Sequence, residues 1–442
     1  MRGLYGDTIT TRLAMKVGRI AVEHTAGNFY CVGMDTRSSG QTLLSALTSS
    51  ILGSGGSVLS AGVQPTPCLA YLTRDRRCAA GIVITASHNP KEYNGFKLFD
   101  GHGSPYTEEH QRKFEQLLSE ERKAQAQSVP SGLVFTEGES SYVQILKKAC
   151  PLKKPWRILI DPGGGSGWHV APLTFRTSGC IVQTANAHPD GSFSARSPEP
   201  TENSLRQLVT QKARSGIDVA FAFDGDADRI SAIDEKNKIV PGDTLLAAYA
   251  SFMAGKGTRR VAIPVDTSMA VVESIESEGG HVITCKVGDA NVSEAVRKEN
   301  CVFGGEPSGA WIHPSAHFAP DGILSGLMIL LALEESEITL CEFADQIQNF
   351  AIARGKMKVG RPLDDTALDS IEASLRTCLR NPSINRMDGV KAVSEKAWVL
   401  VRPSGTEPVV RIVAEAKKHR EAMILYRRAR NAILKVSRRQ AS

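Results

Sequence analysis

The chain has 442 residues, 41% of them hydrophobic and 23% charged, with a formal net charge of +6; this is an ordinary globular composition, with material for three or four domains. The positive balance suits a small anionic substrate but is too slight and too dispersed to argue for nucleic acid. The nine cysteines are scattered, odd in number and without a C-x-x-C pair, and the N-terminal M-R-G-L-Y-G-D lacks an apolar signal region, so a disulfide framework, a zinc site and a secreted chain are disfavoured and a cytoplasmic location is expected.

The first recognisable unit opens with N-F-Y-C-V-G-M-D-T-R-S-S-G, a short apolar strand running into a turn with an aspartate near 35. It passes through a helix-compatible stretch to G-I-V-I-T-A-S-H-N-P at 81–90. Continuous apolar strands alternating with helices predict an α/β domain whose sheet is covered on both faces, and ligand groups in such sheets gather at strand ends. Ser87 follows the buried strand, and Pro90 biases Asn89 toward an extended or turn conformation. A serine held there can accept and return a phosphoryl group if a cation and a base are near. By itself the segment also reads as a polar turn with a capping serine.

A linker is expected near 130–140, and then the pattern repeats, with R-I-L-I-D-P-G-G-G-S-G near 161 and D-V-A-F-A-F-D-G-D-A-D-R at 218–229. In an extended segment alternate residues point the same way, so Asp224, Asp226 and Asp228 can offer three carboxylates to one ion. Clustered anions repel and are unfavourable without a cation; hard oxygen ligands beside a phosphate favour Mg²⁺. The spacing mimics the start of an EF-hand Ca²⁺ loop, with Glu235 at its twelfth position. Arg229 stands where that loop needs glycine, however, and the flanks read as strands rather than helices, so the Ca²⁺ loop is rejected. An acidic turn without metal is the plain alternative.

A second linker is expected near 237–243. The third unit comprises V-A-I-P-V-D-T-S near 266 and C-V-F-G-G-E-P-S-G at 301–309. Glu306 and Ser308, two residues apart after a strand, could both face a cleft and hydrogen-bond sugar hydroxyls, although a glycine-rich turn with an incidental glutamate is the plainer reading of this loop alone. The apolar run from Gly322 to Leu333 is too short to span a bilayer and reads as a buried helix. After a third linker, near 350–360, the style changes to that of a smaller α+β domain, with strands at 397–401 and 409–414. A terminal helix follows, carrying Ala422, Leu425, Ala429, Ile433 and Val436 on one face and a solvated basic face opposite. Between the strands, R-P-S-G-T-E-P at 402–408 offers a guanidinium, two hydroxyls and main-chain N–H groups around a glycine, either a phosphate cradle or a simple turn. No G-x-x-x-x-G-K-[ST] motif supports a nucleoside triphosphate site.

In combination, T-A-S-H-N-P, D-G-D-A-D-R, G-G-E-P-S-G and R-P-S-G-T-E-P resemble the α-D-phosphohexomutase family in order and spacing, over essentially the whole chain. The resemblance implies three similar α/β/α domains and a smaller C-terminal α+β domain around a central cleft. They are expected at 1–138, 139–240, 241–352 and 353–442, carrying the phosphoserine, metal, sugar and phosphate loops in turn. Ser87 is then the phosphoserine, and its phosphate with Asp224, Asp226 and Asp228 binds one Mg²⁺. His88 and Lys97 lie beside the transferring group for proton handling and charge stabilisation. Arg229 in the metal loop, Lys286 in C-K-V-G-D, Glu306 and Ser308 face the substrate. Arg402, Ser404, Gly405 and Thr406 hold the phosphate that is not reacting.

The implied reaction interconverts hexose 6-phosphate and hexose 1-phosphate through a hexose 1,6-bisphosphate, which is intermediate and activator. The expected partner is the hexose phosphate, with no nucleic acid and no membrane. K-V-G-D, P-E-P-T-E and the W-I after the sugar loop are most similar to the archaeal-type branch acting on glucosamine 6-phosphate and glucosamine 1-phosphate. Action on mannose and glucose phosphates is the alternative; a non-catalytic sugar-phosphate-binding relative and a phosphatase are the alternatives from other classes. Two departures stand out: the strand that precedes R-G in the family is expected to be missing before Arg2-Gly3, and Ala310 stands where relatives often carry histidine.

Overall fold

The computed structural model describes residues 1–120, 132–136, 138–257, 259–403 and 409–441, the last four through their helical backbone only. Three sheets follow one plan. In each, a strand that runs out into an aspartate (Phe29–Met34, Arg157–Asp161, Arg260–Pro264) pairs in parallel on one side with the strand after the first helix (Ser57–Val63, Ile181–Thr184, His281–Cys285). On its other side it pairs in parallel with a second strand (Ala80–Ile84, Val219–Phe223, Phe303–Gly305). An antiparallel return strand (Tyr93–Asp100, Ile230–Ile233, Trp311–Ile312) closes the hairpin. The serine, acidic and sugar loops are thus the same hairpin turn in three settings. Ala80–Ile84 and Val219–Phe223 are buried at every position, which is why they read as unbroken apolar runs instead of alternating ones.

The first sheet gains two more strands, Arg2–Leu4 antiparallel to Tyr93–Asp100 and Leu133–Phe135 parallel to Ser57–Val63. Arg2-Gly3 therefore lies within an edge strand of the first sheet. The linker expected near 130–140 contains the edge strand Leu133–Phe135 and gives way to a helix at Glu139.

The fourth sheet is antiparallel, in the order Ala351–Lys358, Val409–Ala416, Ala397–Pro403, Val390–Ser394, Ser383–Asn385. Its first strand replaces the linker expected at 350–360: Arg354, Lys356 and Lys358 alternate outward while the strand pairs with Val409–Ala416 along its length. The other face of the sheet packs Val399, Val401, Val410, Ile412 and Ala414 against Ile371, Leu425, Ala429 and Ile433 of two helices. The terminal helix buries Ala422, Leu425, Ala429, Ile433 and Val436, the face read from its spacing.

One continuous core runs from Cys31 and Leu69 of the first sheet through Phe175 and Phe221 of the second to Tyr249, Trp311 and the buried helix Gly322–Ser336. The fourth sheet docks on the third through the smaller cluster of Val265, Trp398, Leu400 and Val413. Among the described residues no helix is long and apolar enough to cross a membrane, and all nine cysteines are free thiols.

Candidate active site

Ser87 occupies the turn between Ala80–Ile84 and Tyr93–Asp100, at φ +52°. A left-handed backbone costs a residue with a Cβ about 1–3 kcal/mol and persists only where its surroundings impose it. Here Thr85 Oγ1 accepts the Ser87 N–H at 2.8 Å, Ala86 O accepts that of Asn89 at 3.0 Å, and the Arg37 guanidinium donates to Ser87 O at 2.9 Å. So held, Ser87 Oγ donates to Asp224 Oδ2 at 2.7 Å and lies 3.3 Å from His88 Nδ1.

Asp224, Asp226 and Asp228 do converge, but not through an extended strand. Residues 224–228 form a turn in which Ala227 has φ +57° and donates to Asp224 O at 3.1 Å. One oxygen from each carboxylate lies within 4.8 Å of the others, and all three residues are buried. The loop is clasped by the first domain. Thr66 Oγ1 donates to Asp226 Oδ2 at 2.6 Å, Lys97 Nζ donates to the same oxygen at 2.8 Å, and Lys97 also donates to Asp228 Oδ2. A Cβ on Gly225 would fall 2.6 Å from Ser87 O, so only glycine permits this approach of the serine and acidic turns.

These contacts split three identical side chains. Burial, then the charges of Asp228 and Asp226, raise Asp224 well above the usual carboxylate range, and Asp228 is raised by burial and Asp226. Burial pushes Asp226 the same way, but the Lys97 ammonium and the hydrogen bonds from Lys97 and Thr66 outweigh it and hold Asp226 below that range. Burial, then the charges of Arg229, Arg2 and Lys97, drive the His88 imidazole down to about 2, so it is neutral. Asp226 Oδ1 and Asp228 Oδ1 are buried without a hydrogen-bond partner among the described residues. Hard oxygens of this kind, buried, clustered and partly unpaired, fit a divalent cation.

The sugar loop abuts the acidic loop. Arg229 forms a β-bridge with Ala310, and Ile230 N donates to Gly309 O at 3.2 Å. Gly309, at φ +87°, would place a Cβ 2.1 Å from Ile230 O. Arg229 Nε lies 4.0 Å from Asp228 Oδ1. Glu306 accepts from Gly288 N at 2.8 Å and from Ser308 Oγ at 3.1 Å, and burial lifts its carboxyl to about 7 against the pull of Arg229. Ala310 is buried in the bridge.

Lys286 and Arg402 stand apart from the triplet. Lys286 Nζ is paired with Glu108 Oε2 at 2.7 Å. Arg402 Nη1 lies 3.6 Å from Asp388 Oδ2, which also accepts from Val287 N, so the two residues belong to one junction of the third and fourth domains. Ser404, Gly405 and Thr406 lie outside the described residues. Sequence reading passed over Thr66, Thr85 and Arg37, whose roles depend on partners far along the chain. Arg2, on the edge strand Arg2–Leu4, adds a charge that acts on His88, Lys97 and Asp226.

Comparisons with known proteins bear on the whole chain. Residues 1–125, 140–238 and 241–350 match phosphoglucomutase/phosphomannomutase alpha/beta/alpha domains I, II and III, and residues 354–431 match the C-terminal domain. The chain is 36% identical to a probable phosphoglucosamine mutase of Methanothermobacter thermautotrophicus, over 97% of this chain and 95% of the relative. It is also 36% identical to the phosphoglucosamine mutase of Methanocaldococcus jannaschii, over 95% and 94%. In fold it resembles the crystal structure of a phosphoglucomutase/phosphomannomutase family protein from Burkholderia thailandensis, with a TM-score of 0.87, 23% identity and coverage of 99% of this chain and 96% of that one. With all four domains matched in order and full-length relatives above one third identity, the chain belongs to the phosphoglucomutase/phosphomannomutase family, the phosphohexomutases, isomerases that interconvert hexose phosphates.

Proposed function

We propose that this chain interconverts glucosamine 6-phosphate and glucosamine 1-phosphate, with Ser87 carrying the transferred phosphoryl group. The observation that carries the reading is Ser87 Oγ 2.7 Å from Asp224 Oδ2, at the edge of a buried carboxylate triplet. The archaeal relatives named above support glucosamine as the sugar. In this reading Asp224, Asp226, Asp228 and the Ser87 phosphate hold one Mg²⁺, which when bound neutralises charge on the phosphoryl oxygens.

The chain's own groups do the rest. A sugar hydroxyl attacks phospho-Ser87, the bond from phosphorus to the serine oxygen breaks, and a hexose 1,6-bisphosphate forms. Neutral His88 Nδ1, beside Ser87 Oγ, takes the hydroxyl proton and passes it to the serine oxygen as that bond breaks, while the Lys97 ammonium offsets the developing charge. Arg229, Lys286, Glu306 and Ser308 orient the sugar, while Arg402, Ser404, Gly405 and Thr406 hold the remote phosphate. After the bisphosphate turns round, its other phosphate returns to Ser87, so the same bisphosphate can prime a serine that has lost its phosphate. Domain limits at 1–138, 139–240, 241–352 and 353–442 and a cytoplasmic location belong to the same reading.

Intact mass spectrometry of freshly purified protein is expected to show one added phosphate on the peptide holding Ser87. Ser87→Ala is expected to lose on the order of a thousandfold or more in turnover; full activity in that variant rejects the covalent route. Assays on glucosamine, glucose and mannose 1-phosphates should rank glucosamine first. Release of inorganic phosphate in place of an isomer would mark a phosphatase.

A further inference from the structure

One fully buried cation outside the reacting groups has every donor engaged. The side chains of Arg37 and Asp35, just beyond the strand Phe29–Met34, are both 0% exposed. Arg37 Nε donates to Asp35 Oδ2 at 3.0 Å. Nη1 donates to the carbonyls of Pro90 at 2.6 Å and Tyr93 at 3.0 Å, and Nη2 to those of Ser87 at 2.9 Å and Asn89 at 2.6 Å. A guanidinium has five N–H donors in one rigid plane, and all five are used. Four of the acceptors are main-chain carbonyls, three in the turn that carries Ser87 and the fourth on Tyr93, where the return strand begins.

Asp35 balances the charge on the spot and braces the same turn, accepting from Thr85 Oγ1 at 2.7 Å and Arg37 N at 3.0 Å. The second domain closes over the pair: the Phe193 ring centre lies 5.1 Å from Arg37 Cζ, and a Cβ on Gly191 would fall 2.2 Å from Thr36 O. That domain repeats the device, since Arg196 donates to Asp161 Oδ2 at 2.9 Å and to Phe223 O, immediately before the acidic turn, at 2.7 Å.

We infer that Arg37 is the positioning residue for phosphoryl transfer, an inference that rests on reading Ser87 as the phosphoryl carrier. Arg37 acts through the Ser87 carbonyl and not on the reacting oxygen. Carbonyls turned inward without donors would swing toward water, the left-handed conformation of Ser87 would lose its support, and Oγ would leave its register with the three carboxylates. Alignment dominates the rate of phosphoryl transfer. Lysine, with three donors from a single point, cannot serve four carbonyls and a carboxylate at once.

The test uses the full chain with Arg37→Lys, assayed beside the wild type on glucosamine 1-phosphate, together with labelling of Ser87 by hexose 1,6-bisphosphate and a thermal melt. Expected is a fall in kcat of about a hundredfold, a KM within about threefold of wild type, and a labelling rate reduced in proportion to kcat. A role confined to folding would lower the melting temperature but leave kcat and labelling per folded molecule unchanged, and that result overturns the inference. If Arg37→Lys does not fold, Asp35→Asn replaces one accepting oxygen with an N–H donor, so that either Arg37 N or the pair Arg37 Nε and Thr85 Oγ1 loses its acceptor and the guanidinium loses its anchor under the turn. This variant should lower kcat about tenfold at unchanged KM; an unaltered kcat overturns the inference equally. An inactive wild type would instead remove the functional reading itself, so the two failures are distinct.

Discussion

At the scale of single residues, burial and neighbouring charge assign different protonation to identical groups. Asp226, touched by an ammonium and a hydroxyl, is held ionised, whereas Glu306 is lifted from the usual 4.5 to about 7 by burial, which the charge of Arg229 only partly offsets. The ionised form of Glu306 can accept from Gly288 N, Ser308 Oγ and a sugar hydroxyl together; the protonated form loses acceptor capacity. As the pH falls through about 7 the carboxylate gains its proton, so kcat/KM should decline on the acid side of that value. The substrate phosphate titrates near 6 as well, but Glu306→Gln should abolish only the limb owed to the glutamate. Profiles of kcat/KM over roughly pH 5.5 to 9 for both proteins check this, and superimposable profiles would reject it. The linkage sign follows from the same shift. The folded state binds this proton more tightly than the unfolded chain does, so the stabilisation is complete below about 4.5 and is lost as the pH rises through 7.

At the scale of elements, one hairpin is used three times, and its repetition was legible because each copy joins an apolar strand to a turn of glycine or polar residues. The strand Ala351–Lys358 was not legible: Ala351, Ala353 and Gly355 on one side are small and Ile352 interrupts the basic residues on the other, so an alternation of period two carries little hydrophobic contrast. The acidic turn was misread as extended because alanine rarely adopts the left-handed φ that Ala227 shows. Here the turn bond to Asp224 O and the bond from Gly322 N to Ala227 O impose it. Pairs such as Thr66 with Asp226 or Arg37 with Pro90 could not be read from a single sequence at all. The docking of the fourth sheet is another such case. Glu415, 0% exposed on the strand Val409–Ala416, accepts from Ser268 Oγ, Trp398 Nε1 and, at 2.8 Å, Met269 N, the first N–H of the helix Met269–Ser277. Removing the carboxylate strands two buried donors, each costing about 1–3 kcal/mol, and the part-buried Met269 N–H. Glu415→Ala is therefore expected to destabilise the fourth domain by about 3 kcal/mol or more. Calorimetry should show this as an early separate transition, with the transition of the first three domains, which share a core, unmoved; one unshifted transition would contradict it.

At the scale of the whole molecule, the site exists only when the domains are assembled. In the proposed reading the first supplies Ser87 and Lys97, the second the aspartates and Arg229, the third Glu306, Ser308 and Lys286, and the fourth Arg402. Between the first and third domains two ion pairs lie on the rim, Lys286 with Glu108 at 2.7 Å and Arg297 with Asp100 at 3.1 Å. Lys286 and Glu108 are 44% and 46% exposed, and exposed pairs of this kind are worth about 0–1 kcal/mol. If Lys286 serves the sugar, Glu108 competes with the substrate for it, and that small energy sets the size of the competition. Glu108→Gln should lower the KM for hexose phosphate about two- to threefold, the equivalent of about 0.5 kcal/mol, with kcat unchanged. The difference should vanish at about 1 M salt, where screening acts over about 3 Å. In the Lys286→Ala background Glu108→Gln should have no effect on KM, because the competitor then has nothing to withhold. A rise in KM on Glu108→Gln alone would mean that the pair supports the assembled site instead of restraining one of its ligands.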